Sequence, residues 1–117
     1  YPWGAEWDNK KVNAGPGNDW EFGVAPVGSY EQGKSPYGIY DMSGNVMEWV
    51  DQWYQPYPGN TYESDAYGET YRVVRGGGWG GIGHYAINHF NRAAYRFYLK
   101  PDSKFNDLGF RCAKNAH

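Results

Sequence analysis

Leucine is nearly missing from this chain: Leu99 and Leu108 are the only two in 117 residues. A helical bundle buries leucine-rich stripes at a 3.6-residue period, and their absence excludes that architecture. Cysteine is scarcer still. Cys112 stands alone, so the chain forms no internal disulfide and no cysteine metal cluster. Its thiol reads as a small buried hydrophobe or as half of a bridge to another segment or chain. No apolar run approaches the roughly 20 residues of a membrane-spanning helix, and no basic-then-apolar leader pattern opens the sequence. Starting at Tyr1-Pro-Trp-Gly, without Met, the chain reads as a mature, processed or excised piece. The net charge is only −2, which leaves no global field to recruit nucleic acid or an anionic membrane.

What replaces leucine is aromatic. Six Trp, twelve Tyr and five Phe make up half of the 40% hydrophobic content, beside 17 Gly and seven Pro. Turn residues interrupt the chain every few positions. The expectation is one loop-rich α+β or mainly β domain over 1–117, with little regular secondary structure and aromatic side chains filling its interior. Charge is unevenly spread. Eleven acids precede Tyr71 against Lys10, Lys11 and Lys34, whereas eight Lys or Arg follow it against Asp102 and Asp107. An acidic first part suits hard cations, although opposite charges dispersed over one folded surface give the same pattern.

Periodicity suggests few elements. Val46, Trp49, Val50 and Trp53 form an i, i+3, i+4, i+7 stripe, and Asn45 is a fair N-cap, so 45–54 reads as a helix. Tyr71 to Val74 reads as a strand, with Ala93 to Tyr98 and Phe110 to Lys114 as further strands around a Lys100-Pro-Asp-Ser turn. Residues 1–23 and 55–68 read as loops. Val24-Ala-Pro-Val27 reads as a short extended piece, since Pro26 biases Ala25 away from helix. Trp49, Trp53, Trp79 and Phe110 are the expected packing residues.

Three strings carry more: Gly38-Ile-Tyr-Asp-Met-Ser-Gly-Asn-Val-Met-Glu-Trp49, then Tyr71-Arg-Val-Val-Arg-Gly-Gly-Gly-Trp79, then Leu108-Gly-Phe-Arg-Cys112. In that order and at those separations they resemble the signature of the formylglycine-generating-enzyme, or sulfatase-modifying-factor, family. The resemblance implies a C-type-lectin-like fold and covers the chain from Tyr1-Pro-Trp-Gly onward. Family members carry a comparable length before the Pro-Trp-Gly string, so it implies the C-terminal portion of that fold. A chain or segment supplying the N-terminal part is an implied partner.

Active members of that family oxidise a substrate cysteine with copper held by two cysteines in the segment after Arg-Gly-Gly. Here that segment, Trp79 to Arg92, contains none, and soft Cu(I) needs thiolate or thioether ligands. The chain therefore lacks the family's oxidase chemistry. Related iron enzymes draw their histidines from a preceding domain, and His84 and His89, five apart, read as ordinary histidines. The resemblance also implies calcium. One site would take the Asp41 and Glu48 side chains with the Gly44 and Val46 carbonyls; a second would take Asn13 with the Ala14 carbonyl and Asp19 with the Glu21 carbonyl. Oxygens two to three residues apart around a turn can converge on a Ca²⁺ ion. The competing reading is that Asp41 and Glu48 cap the helix or pair with Arg75.

Other motifs fail. Gly78-Trp-Gly-Gly-Ile-Gly83 satisfies G-x-G-x-x-G after a strand, but no parallel strands or following helix stripe support a dinucleotide fold. No G-x-S-x-G elbow surrounds any serine. Lys100-Pro-Asp102 is a poor match to a sugar-binding calcium string, because lysine cannot ligate calcium. Residues 80–105 mix Gly, His, Tyr, Asn and Phe in loop-like places, which suits contact with a protein or small ligand, or packing of a leucine-poor core. In lectin-fold variable proteins, a family resemblance places the ligand-contacting residues in this stretch. The sequence thus points to a non-catalytic, calcium-stabilised ligand-binding or structural module outside the cytoplasm. The alternatives are an oxidoreductase whose catalytic residues lie on an N-terminal portion or partner chain, and a component of a larger surface or filament assembly.

Overall fold

The computed structural model describes residues 1–15, 23–80 and 87–116. Regular elements are few. After one 3-10 turn at Glu31–Gly33 come β1 (Met47–Trp53), β2 (Arg72–Arg75), α1 (Ile87–Phe90), β3 (Phe97–Leu99) and β4 (Leu108–Gly109). The four strands form one mixed sheet in the order β3-β2-β1-β4. β1 runs antiparallel to β2, and β2 antiparallel to β3, while β4 lies parallel to β1.

The segment that reads as a helix is the central strand. Its stripe of Val46, Trp49, Val50 and Trp53 is also β-branched and aromatic, the composition that favours a pleated, half-buried surface. Long-range pairing decides between the two readings. Glu48 faces Arg75 and Trp49 faces Val74, and a register shift between Trp49 and Trp53 lets Trp53 meet Arg72. Nor is Asn45 an N-cap: it sits at φ 66°, next to Gly44 at φ 72°, in a left-handed reversal that feeds β1. The Tyr71–Val74 strand is found one residue later. The Ala93–Tyr98 strand shrinks to its last two residues plus Leu99, because the preceding residues turn, with the Tyr95 N–H donating to the Arg92 carbonyl at 3.0 Å. Phe110 to Lys114 joins no ladder; only Leu108 and Gly109 pair with β1.

Among the described residues the fully enclosed apolar core is small and not aromatic: Val12, Ala14, Ala25, Met47, Ala66, Val73 and Val74. The rings form a half-buried belt around it instead. Tyr1, Trp3 and Trp7 cluster with centroids 5.3 to 6.0 Å apart, Tyr1 and Trp3 stacked. Phe90, Tyr95, Phe97 and Tyr98, with exposed His89 at one end, make a ring ladder along β3 that is edge-to-face except for the stacked Phe97–Tyr98 pair. Trp49, Trp53 and Trp79 belong to this half-buried shell. Phe110, expected to pack, is 76% exposed. No helix among the described residues is long and apolar enough to cross a membrane.

Candidate functional site

With so little ladder, loops are held by polar side chains, and Asn45 is their hub. Its carboxamide oxygen accepts from the Ala25 N–H at 2.8 Å and from Asn13 Nδ2 at 3.1 Å, and its own Nδ2 donates to the Ala25 carbonyl. Its backbone N–H donates to the Asn13 carbonyl at 2.8 Å, and its carbonyl accepts from the Trp79 N–H at 3.0 Å. Three distant loops meet there. Gly44 permits the approach: a methyl group on it would stand 2.3 Å from Val12 Cγ2 and 2.7 Å from the Asn13 carbonyl oxygen.

Asn13, one of the expected metal-binding residues, lies in this hub and is almost fully enclosed. Its Nδ2 is spent on Asn45 and on the Gly23 carbonyl at 3.0 Å. Its Oδ1 has no hydrogen-bond partner among the described residues. A buried carbonyl oxygen without a donor is costly and calls for a water or a cation. Ala14 is buried beside it in sequence, whereas Asp19 and Glu21 lie outside the described residues.

The other expected set is brought together around a guanidinium. Glu48 takes a forked pair of bonds from Arg111 Nε at 2.7 Å and Nη2 at 2.5 Å. The same group donates to the Tyr40 and Asp41 carbonyls, both at 2.9 Å. Bonding to Glu48 raises the Arg111 pKa above its already high ordinary value, as a planar fork on a carboxylate does. The Asp41 carboxylate, at φ 56°, turns instead to the Gly28 N–H at 2.9 Å. Gly44 donates its N–H to the Gly76 carbonyl, and Val46 packs its side chain toward Gly109. Arg75, the partner in the competing reading, donates to the Ala93 and Tyr95 carbonyls and to the Tyr57 hydroxyl. Among the described residues no three His, Cys, Asp or Glu side chains gather as a metal cluster.

A second buried polar group sits at the Gly77-Gly78 turn. Asp107 is 3% exposed and its Oδ2 has no partner among the described residues. The carboxylate lies so close to Gly78 that a methyl there would meet Oδ2 at 2.4 Å. Burial pushes the Asp107 pKa up from its ordinary value of 3.8. An acid with a raised folded pKa binds its proton more tightly in the native state, so its contribution to stability is best at low pH. It falls as pH rises from about 3.8 through the folded value, and the penalty then persists. Asp107→Asn is therefore expected to raise stability at pH 7 by about 1 kcal/mol and by less at pH 4. Urea unfolding at both pH values would check it; an equal or lower midpoint for the variant at pH 7 would refute it.

Part of the 80–105 stretch, including His84, falls outside the described residues. Of the rest, Asn88, His89 and Phe105 face solvent, while Tyr95, Phe97 and Tyr98 are half-buried in the ring ladder. Sequence reasoning missed a cleft walled by Tyr62, Tyr71 and Tyr98. Its only signal was the density of tyrosine between 54 and 71.

A loop-rich domain on a small mixed sheet, cross-tied by buried amides, is the class that these observations define. The family is that of the sulfatase-modifying factor enzyme 1-like domain, whose description matches residues 1–116, and the chain belongs to it. It is 34% identical to the inactive C-alpha-formylglycine-generating enzyme 2 of Mus musculus over 99% of this chain and 37% of that protein. It is 37% identical to the serine/threonine-protein kinase pkn1 of Chlamydia caviae over 97% of this chain and 18% of that protein. Among solved structures it resembles Treponema denticola variable protein 1, with a TM-score of 0.62 and 26% identity, over 87% of this chain and 35% of that one. The chain thus spans well under half the length of these relatives.

Proposed function

We propose that this domain is a catalytically silent, calcium-stabilised ligand-binding or structural module with a C-type-lectin-like topology, working outside the cytoplasm. The observation that carries the silent reading is the composition of residues 79–92, which hold no cysteine, while Cys112, the sole thiol, is exposed and lines a groove with Trp49 and Arg72. The name of the inactive mouse relative supports it. Ligand contact through 80–105 is supported by solvent-facing Asn88, His89 and Phe105, and by similarity to a protein named as variable.

Calcium is best supported at the Asn13 end, where the enclosed Oδ1 lacks a donor and Asp19 follows six residues on. Held there, the ion would tie the 13–21 segment to the Asn45 hub. Calcium at the 41–48 set would require Arg111 to release Glu48. With free Ca²⁺ at 100 times its dissociation constant, the gain is about 2.7 kcal/mol, roughly 10–20 °C in melting temperature for a domain of this size. Asp19→Ala should abolish that rise and Asp41→Ala should retain it. A melting temperature indifferent to excess calcium and to chelator refutes the metal reading.

A second reading has its own observation. Val27 at 89%, Tyr37 at 90% and Phe110 at 76% exposure, and separately the exposed Ile39 and Met42, which line one groove with Trp49 and Val50, are apolar surface that another segment or chain would cover. This supports a partner completing the N-terminal part of the fold, within an assembly or within an oxidoreductase whose catalytic residues it brings. Copper or iron at stoichiometry in the assembled protein would favour the enzyme.

A further inference from the structure

The loop leading into β2 and the outer strand β3 build a face out of tyrosine. Tyr54 and Tyr98 have ring centroids 4.6 Å apart, Tyr54 and Tyr67 are 5.2 Å apart, and Tyr71 meets Tyr98 edge-on at 5.1 Å. Two of the chain's arginines lie on rings. Arg96 stacks over Tyr57 at 4.0 Å and over Tyr54 at 4.7 Å, and Arg72 stacks over Trp53 at 3.9 Å. The aromatic quadrupole attracts positive charge to the ring face, which accounts for the pattern.

Around the same cluster, Tyr62, Tyr71 and Tyr98 line an open cleft of about 510 Å³, together with Glu63 and Asp65. Among the described residues no lysine or arginine stacks on these three rings, and none pairs with either carboxylate. The buried Ala66 N–H is already satisfied by Ser64 Oγ, and the Tyr98 ring is packed against Tyr54 and Phe97, so the cleft offers an incoming group the ring of Tyr62, 72% exposed, together with hydroxyls and two negative charges. An anion would meet like charge. A hard metal ion wants six or more converging oxygens, and among the described residues no three acidic or metal-binding side chains gather here. A flat or rounded organic cation finds both of its attractions there.

We propose that this cleft is a binding site for an organic cation of the guanidinium or alkylammonium class, such as an arginine or methylated lysine side chain on a peptide. Its volume exceeds that of one such group, which leaves room for the chain that carries it. The site is independent of the calcium reading, since none of its residues is among the expected metal ligands.

The experiment is an NMR titration of the full chain, following tyrosine ring signals. The probes are tetramethylammonium chloride and acetyl-arginine amide, with sodium chloride and the neutral isostere tert-butanol as controls. Saturable shifts with either cation, and none with the controls, are expected. Response to the arginine probe alone assigns a guanidinium ligand, and to tetramethylammonium alone an alkylammonium ligand. The double variant Glu63→Gln/Asp65→Asn and the variant Tyr62→Ala change exposed loop side chains, so the fold is retained. Each should weaken binding by about threefold to fivefold. Equal shifts with tert-butanol or salt, no shift with either cation, or unchanged affinity in both variants overturns the proposal.

Discussion

Replacing Asn45 with alanine is expected to destabilise the domain by about 3–4 kcal/mol. Three hydrogen bonds disappear, and the buried Ala25 N–H and Asn13 Nδ2 each lose an acceptor. Each lost bond of this kind costs about 1 kcal/mol, more where a buried donor stays unpaired. Asn45 also holds φ at 66°, a left-handed conformation that asparagine tolerates and alanine resists by about 1 kcal/mol. Asn45→Gly separates the two contributions, because it loses the same bonds and keeps the conformation. It should therefore lie about 1 kcal/mol above the alanine variant. Denaturant midpoints of the three proteins would settle the matter. A loss under about 1 kcal/mol for alanine would mean that the hub is not what holds the loops.

Gly44→Ala should cost at least about 3 kcal/mol, for two reasons that can be told apart. The position has φ 72°, and a methyl group there would press into Val12 Cγ2 and the Asn13 carbonyl at 2.3 and 2.7 Å. The carbonyl is backbone and cannot swing aside, so the crossing of the two loops must open. Gly59 is the matched control. Its φ is 85°, but nothing lies within 4 Å of the added methyl, so Gly59→Ala carries only the conformational term of about 1 kcal/mol. Equal losses at the two positions would show that crowding at the loop crossing is unimportant. If the 13–21 segment binds calcium, Gly44→Ala should also weaken the calcium-induced rise in melting temperature, because Asn13 forms one wall of the crowded contact.

The three signature strings were legible because each is short, local and correctly ordered, and they identified the family from residues alone. The missing cysteines were equally plain, since absence from a segment needs no geometry. The strand at Met47–Trp53 was not legible. An apolar i, i+3, i+4, i+7 set composed of Val and Trp satisfies a helix template and suits a strand, and only pairing with Arg72–Arg75 breaks the tie. Asn45 misled for a related reason, as asparagine serves both N-caps and left-handed reversals. The competing reading of Glu48 pairs it with Arg75, its cross-strand neighbour, whereas the side chain that reaches it is Arg111, 63 residues away. The tyrosine cleft joins 62–66 to Tyr71 and Tyr98, and nothing local announces that meeting. Phe110 reads as interior by residue type, yet β4 ends before it and leaves it outside.

The guanidinium of Arg111 also bears on how the chain reaches this shape. It ties carbonyls at Tyr40 and Asp41 across separations of 71 and 70 residues, and Tyr1 reaches Asn88 across 87. Contacts so remote along the chain must wait for most of the polypeptide to be collected, which places the domain among slow folders in the millisecond-to-second range. During synthesis on a ribosome the segment that ends at Asp41 would have to persist without its closing clasp, a period in which its tyrosines and tryptophans stand open to chaperones.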